Sequence, residues 1–298
     1  MVKVLPTTQN FLGIAEKKLS AYESSKFVIQ QVPYEYTSSY LAGSAKGPAA
    51  IVAASQFVEL YDEELDMETY KQCGIATLPS MKFGKSDINE KAVSLIENAT
   101  AKLIADNKTV VSLGAEHTVT LGFVRAHAAK YKNLSVLQLD AHSDLRESYH
   151  NNKYSHASVL KRIYDDGHNI VQVGIRAQCI EEAQLIKTAK RITTFYAHDV
   201  RKNTKWMDKA IDALGSNVYL TIDADGFDPS TMPAVGTAEP RGLFWDETLT
   251  FLQKVIKKKN VVGFDIVECA PTKGNILSEY TLAKLAYRLM GYMVLKNN

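Results

Sequence analysis

Two short acidic clusters carry most of the chemistry available to this chain: Asp140-Ala141-His142-Ser143-Asp144 and Asp223-Ala224-Asp225. Each alternates its ligating side chains, and residues two apart in an extended segment point the same way. Each cluster is therefore expected to aim its donors at one point. His117, in Gly114-Ala115-Glu116-His117, adds a further imidazole. The set of His117, Asp140, His142, Asp144, Asp223 and Asp225 then holds four carboxylates and two imidazoles. Four negative charges match two divalent cations. Such donors, with no thiolate among them, favour a metal like Mn²⁺ over structural Zn²⁺, with Fe, Co, Ni or Zn tolerated. Most of the donors fall in two short clusters, so carboxylates shared between two ions are expected. A lone Asp-x-Asp is ordinarily a turn or a cap, and a lone His ordinarily a satisfied core residue. Charges directly behind an apolar strand are costly, however, unless they are paired or bind metal.

The elements that must position these residues are short apolar runs rich in β-branched side chains, each the length of a strand. They begin at Phe27, Thr109, Leu134, Ile170, Ile192, Val218 and Val261. Helical patterns of ten to twenty residues lie between them. Gly47-Pro48 opens one, with Pro48 suited to a first helical position. Ser86-Asp87-Ile88-Asn89-Glu90 opens another, Ser86 and Asn89 loosely resembling a capping box, and the last runs from about 277 to 295. Alternation of this kind implies a mainly parallel sheet covered on both faces. Ligands of such sheets collect outside the carboxyl ends of the strands. There the runs ending at Leu113, Leu139, Ile222 and Val267 deliver His117, the two acidic clusters and Glu268. No linker or repeat interrupts the pattern, so residues 1–298 are read as one domain, with residues 34–47 and 149–154 as rims of a site.

The whole-chain properties exclude several classes of function. Lys+Arg 35 against Asp+Glu 33 gives a net charge of +2, which makes no electrostatic case for nucleic acid or an anionic membrane surface. Lys257-Lys258-Lys259 ends a helix and complements its dipole. Cys73, Cys179 and Cys269 are far apart and odd in number, so neither a disulfide framework nor a thiolate metal site is expected, and a reducing cytoplasm is the default. No segment resembles a signal peptide or reaches the ~20 apolar residues of a membrane span.

These segments together resemble the arginase/agmatinase family of ureohydrolases. Leu113 to His117, Asp140 to Asp144 and Asp223-Ala224-Asp225-Gly226-Phe227-Asp228-Pro229 look like its three signature segments, in the same order. The likeness extends from Gly43 and Gly47-Pro48 to Asp265-Ile266-Val267-Glu268. It implies a three-layer α/β/α fold and two Mn²⁺ ions per subunit. Carried over, His117, Asp140, Asp144 and Asp223 hold one ion, and Asp140, His142, Asp223 and Asp225 the other, with Asp140 and Asp223 bridging. Asp228 with Pro229 reads as a turn. The two ions would lower the pKa of a shared water and supply hydroxide to attack a guanidinium carbon. Asp144 is the candidate donor of a proton to the departing amine. His156 resembles the family's mobile proton shuttle, and otherwise begins a helix. Glu268 resembles the carboxylate that grips the guanidinium fork, and otherwise is a strand-end charge. Thr237 matches a position near the substrate.

The loop from Leu145 to Ser155 looks like the agmatinase type, so agmatine, cleaved to urea and putrescine, is the expected substrate. Aminopropylagmatine, guanidinobutyrate and arginine follow, and an inactive metal-binding regulator is the remaining alternative. A mononuclear zinc deacetylase of related fold would not keep six ligands, and a two-metal phosphatase would want more cations than Arg146. Tyr34, Glu35, Tyr36 and Tyr40 could suit a cationic amine tail, or could simply pack their loop. Ala115, Arg241 and Thr272 depart from the family pattern and are expected near the rim. The family commonly forms trimers or hexamers, so a homo-oligomer is expected.

Overall fold

The computed structural model of the protein describes residues 2–296. Among them ten strands form: β1 (Phe27–Val32), β2 (Tyr61–Asp62), β3 (Met67–Glu68), β4 (Ile75–Thr77), β5 (Thr109–Gly114), β6 (Leu134–Leu139), β7 (Asn169–Ile175), β8 (Ile192–Tyr196), β9 (Asn217–Asp223) and β10 (Asn260–Val267). Every apolar run of the sequence is a strand. Eight strands make one sheet in the order β4-β1-β5-β10-β9-β6-β7-β8, and every pair in it is parallel. The remaining two, β2 and β3, pair as a small antiparallel hairpin.

Alternate residues of each strand face opposite layers of helix. On β6, Leu137 and Leu139 join a core with Ile51 of the helix Gly47–Ser55, Leu252 of Trp245–Lys258 and Leu289 of Leu277–Lys296. On the same strand Leu134 and Val136 join a second core, with Ile96 of Glu90–Ala105, Phe123 of Thr120–Lys130 and Leu160 of Val159–Asp165. The result is the expected α/β/α sandwich around a mainly parallel sheet. One boundary differs from the sequence reading. The second helix begins at Glu90, preceded by Asn89 in a left-handed conformation (φ 54°), and no side chain caps it. Ser86 lies outside that helix and receives the Lys91 ammonium on its hydroxyl.

The register fixes what lies beneath the carboxyl edge. Gln30, Ser112, Asp265, Thr221, Gln138, Gln172 and Thr194 stand opposite one another across seven strands. All but Thr194 are buried. A polar row in a sheet interior must satisfy itself, and this one does so partly by direct bonds. Thr194 donates to Gln172 at 2.8 Å, Gln172 to Gln138 at 2.6 Å, and Thr221 to Asp265 at 2.6 Å. The next same-face residue along β6 and β9 is Asp140 and Asp223, respectively.

Candidate active site and metal centre

Four neighbouring strands, β5, β10, β9 and β6, end at one level, since Ile266 lies opposite Leu113, Val267 opposite Asp223 and Ile222 opposite Leu139. The segments leaving these four ends carry His117, Glu268, Asp223 with Asp225, and Asp140 with His142 and Asp144. The chain runs outward from β6 to β8 before returning to fill the middle of the sheet with β9 and β10. Such a reversal of strand order leaves a crevice at the carboxyl edge.

Within the crevice all six candidate metal donors converge, by a different local geometry from simple extended alternation. Asp223 ends β9, but Asp225 lies in a tight 3₁₀ turn (Ala224–Gly226) in which its own N–H donates to Asp223 Oδ1 at 2.8 Å. Asp144 adopts a left-handed φ of 52°, sparsely populated for a non-glycine residue. His117 Nδ1 lies 3.1 Å from Asp140, 3.0 Å from Asp144 and 3.3 Å from Asp223. His142 Nδ1 lies 2.9 Å from Asp225 and 3.7 Å from Asp140. Two donor groups result, His117-Asp140-Asp223 and Asp140-His142-Asp225, with Asp140 in both.

The hydrogen bonds around His117 settle which ring nitrogen faces these acids. Its Nε2 lies 2.9 Å from the Thr221 hydroxyl, whose one hydrogen goes to Asp265 at 2.6 Å. Thr221 can therefore only accept, so Nε2 carries a hydrogen and Nδ1 is left to the three carboxylates. Nδ1 is buried, crowded by all three carboxylates and aligned for a regular hydrogen bond to none of them. Burial works against a charged ring, yet Asp140, Asp144 and Asp223 push the His117 pKa well above its ordinary value. Burial, then Asp225 and Asp144, raise the Asp140 carboxyl to about 7, and burial, then Asp225 and Asp140, push Asp223 well up. His142 is raised to about 11 by Asp225 and Asp140 against the cost of its burial. The cluster thus holds more negative charge than its two imidazoles balance. A buried nitrogen crowded by oxygen donors fits divalent cations.

Above the cluster lies a hollow of about 320 Å³ lined by Tyr40, Arg146, Tyr149, His156, Thr237 and Glu268, among others. Glu268 leaves β10 with φ 61° and accepts the His117 N–H on Oε1 at 2.7 Å. Burial first, then the carboxylate of Glu116, hold its pKa well above normal, against the pull of that hydrogen bond. His156 opens a 3₁₀ turn (His156–Ser158), and its Nδ1 lies 3.0 Å from the Thr37 hydroxyl. Burial holds its pKa below the ordinary histidine value, although Asp144 pulls the other way. Both expected rims are present, through Ser38, Tyr40 and Tyr149. A neighbouring hollow of about 470 Å³ shares Gln178 and Glu239 with the first.

Some sequence expectations need correction. The Glu35 carboxylate is committed to its own loop, accepting N–H bonds from Gly43 and Ala45 and the Ser38 hydroxyl. Tyr34 is buried against Phe83, so it packs the loop, whereas Tyr40 faces the hollow. Ala115 is fully buried under Glu268, whose N–H it accepts at 2.7 Å, and is not at the rim. Thr272 is exposed and Arg241 lines the neighbouring hollow, both outside the lining of the first. Asp228 is the turn residue expected, bonded to Ser230 and the Gly242 N–H. Sequence reasoning missed Thr221, Gln138, Thr37 and Glu116 as parts of the site. The only early signal was a polar residue inside an apolar run, as at Gln138 and Thr221.

Comparison with known proteins agrees with this geometry. The family model described as the arginase family matches residues 25–292. An N(1)-aminopropylagmatine ureohydrolase of Synechocystis sp. is 38% identical, covering 94% of this chain and 92% of its own length. An agmatinase of Bacillus cereus is 35% identical, covering 86% and 87%. The crystal structure of agmatine ureohydrolase of Thermoplasma volcanium superposes with a TM-score of 0.84 at 32% identity, over 96% of this chain and 94% of that one. With a matching model over most of its length, a shared sheet and relatives this similar, the chain belongs to the arginase family of ureohydrolases, close to the agmatinases.

Proposed function

We propose that this protein hydrolyses the guanidino group of a guanidinoalkylamine, agmatine being the expected example, to urea and a free amine. The observation that carries this reading is the convergence of six donors, all buried but the half-buried His142, on the floor of a hollow that Glu268 and His156 line. His117, Asp140, Asp144 and Asp223 would hold one divalent ion, and Asp140, His142, Asp223 and Asp225 a second, with Mn²⁺ the expected metal. Bound there, such ions would supply Lewis acidity and an acidified water near neutral pH.

The chain's own residues do the rest. Glu268 is fixed at one oxygen by the His117 N–H, and its other oxygen is free to accept from a guanidinium, orienting the carbon towards the floor. Thr237 lies on the same lining and adds a polar contact. The reaction adds water across the guanidino carbon, breaks the bond to the alkyl nitrogen and returns a proton to that nitrogen. Asp144, at the floor, is placed to take and give that proton, and His156 at the wall to pass protons to and from the hollow.

A second reading, an aminopropyl-extended agmatine as substrate, is favoured by the adjoining hollow. A longer amine tail would run past Glu239, whose carboxylate makes no hydrogen bond or ion pair among the described residues. Urea release by the Mn²⁺-loaded protein from agmatine, aminopropylagmatine, guanidinobutyrate and arginine in parallel tests both readings. Urea with the highest kcat/KM from agmatine supports the first, and from aminopropylagmatine the second. No urea from any, with two ions bound, would overturn both. The homo-oligomeric assembly expected from the family belongs with this reading and is checked by solution mass. No helix among the described residues is long and apolar enough to cross a membrane.

A further inference from the structure

The segment after β1 meets His156 at two points through a single side chain. The Thr37 hydroxyl oxygen accepts the backbone N–H of His156 at 3.0 Å and lies 3.0 Å from the same residue's Nδ1. One hydroxyl thus meets both the backbone N–H of His156 and its Nδ1, closer to that nitrogen than the Ser155 hydroxyl at 3.4 Å. Thr37 is itself pinned. Its N–H donates at 2.6 Å to Glu116 Oε2, which also takes the Tyr36 N–H at 2.9 Å. Glu116 is fully buried, its Oε1 has no hydrogen-bond partner, and it precedes His117 in the chain. Burial raises the Glu116 carboxyl, and bonds from the Thr37 and Tyr36 N–H groups, then from the Thr118 and Thr37 hydroxyls, pull it back. The hydroxyl hydrogen of Thr37 has the carboxylate of Glu116 as its acceptor, which leaves the Thr37 oxygen to accept from Nδ1 of His156.

We propose that Thr37 is a positioning residue for His156, an acceptor that holds the ring's hydrogen on Nδ1 and leaves Nε2 to exchange protons. The Thr37 hydroxyl hydrogen goes to Glu116, so its oxygen accepts Nδ1–H both when His156 is neutral, with Nε2 bare, and when Nε2 has gained the second proton. Nδ1 is thus never without a partner, and only the Nε2 proton is exchanged. A group that must gain and lose a proton in each turnover needs such a partner, because an orphaned buried nitrogen in either state would bias the ring towards the other. The Tyr149 ring, 5.9 Å away and edge-on, supports the imidazole without competing for a hydrogen bond.

This inference rests on the reading of His156 as the group that moves protons, and the test separates the two. Thr37→Val, Thr37→Ser, His156→Asn and the double variant Thr37→Val/His156→Asn would be assayed for urea release across pH. Metal content and thermal unfolding of each would be measured alongside. Thr37→Val is expected to lower kcat roughly ten- to a hundred-fold, with KM and metal content nearly unchanged and an altered pH profile. Thr37→Ser, which keeps the hydroxyl, is expected to recover most of the kcat. In the His156→Asn background Thr37→Val should cost nothing further. Equal losses from Thr37→Val with and without His156 would overturn the positioning role while leaving the shuttle reading intact. Full activity of His156→Asn would overturn the shuttle reading, and the positioning role with it. Should Thr37→Val fold poorly, Thr37→Ser still decides: a loss of kcat as large as that of His156→Asn, in a folded and metal-loaded protein, contradicts the proposal.

Discussion

Thr221 does for His117 what the sequence could not announce. The two are 104 residues apart, and only strand register brings the Thr221 hydroxyl to Nε2 at 2.9 Å, with its hydrogen already given to Asp265. That commitment presents Nδ1 to Asp140, Asp144 and Asp223. Thr221→Val keeps the shape of the side chain and removes the acceptor. It should weaken divalent-metal binding by about 10- to 100-fold, the usual cost of losing a group that orients a metal-bound imidazole. Titration of the metal-free protein with Mn²⁺ would read this directly, and a curve matching the parent's would break the proposed link. The donors themselves were legible because each follows an apolar run that can only be a buried strand, where an unpaired charge is costly. Their partners were not: a threonine within such a run reads as ordinary β-propensity, and Thr37 gains meaning only from a contact 119 residues away in the chain.

Single elements are brought to the site by close approach as much as by their own propensity. The turn Ala224–Gly226 lies directly on the end of β6, where a Cβ at Gly226 would come within 2.8 Å of Asp140 N and 3.0 Å of its Cα. Those atoms are backbone and cannot move aside without shifting Asp140. Gly226→Ala should therefore destabilise the fold by about 1–3 kcal/mol and separate the two donor clusters at the same time. Denaturant unfolding and metal content together would test this, and a stable variant with a full metal complement would refute it. The same scale shows where pattern reading stops. Runs of four or more residues rich in β-branched side chains were recognisable as strands, but β4 has three residues, too few to display a period. The turn holding Asp225 was read as extended because Asp-x-Asp is compatible with both, and the choice is made by a backbone N–H finding the Asp223 carboxylate.

Across the whole molecule, stability should carry a signature of pH from a residue remote from the donor cluster. His127 is fully buried, donates Nδ1–H to the Phe123 carbonyl at 2.8 Å, and packs against the rings of Tyr131 and Tyr219. Burial first, and Lys130 after it, lower its pKa to about 4 from an ordinary 6.5, despite the Phe123 bond. Between these values the unfolded chain binds a proton that the folded one refuses, so stability is present above pH 6.5 and is lost as pH falls towards 4. From pH 7.5 to 4.5 the parent should lose about 2 kcal/mol more than His127→Leu, both studied metal-free. Parallel urea-unfolding curves with equal losses would contradict the assignment. The overall layering was readable from the alternation of runs, since parallel strands need crossover helices, but the strand order was not, and that order has its own consequence. β9 and β10 are the last strands of the chain, yet they lie between β5 and β6. On the ribosome, a nascent chain that has emerged only as far as β8 holds His117 and the Asp140 cluster on two half-sheets with nothing joining them. The site then closes like a keystone arch, with the last strands set in the middle. Truncated translation products therefore lack Asp223, Asp225 and Glu268, and the cell gains no half-working hydrolase from an unfinished chain.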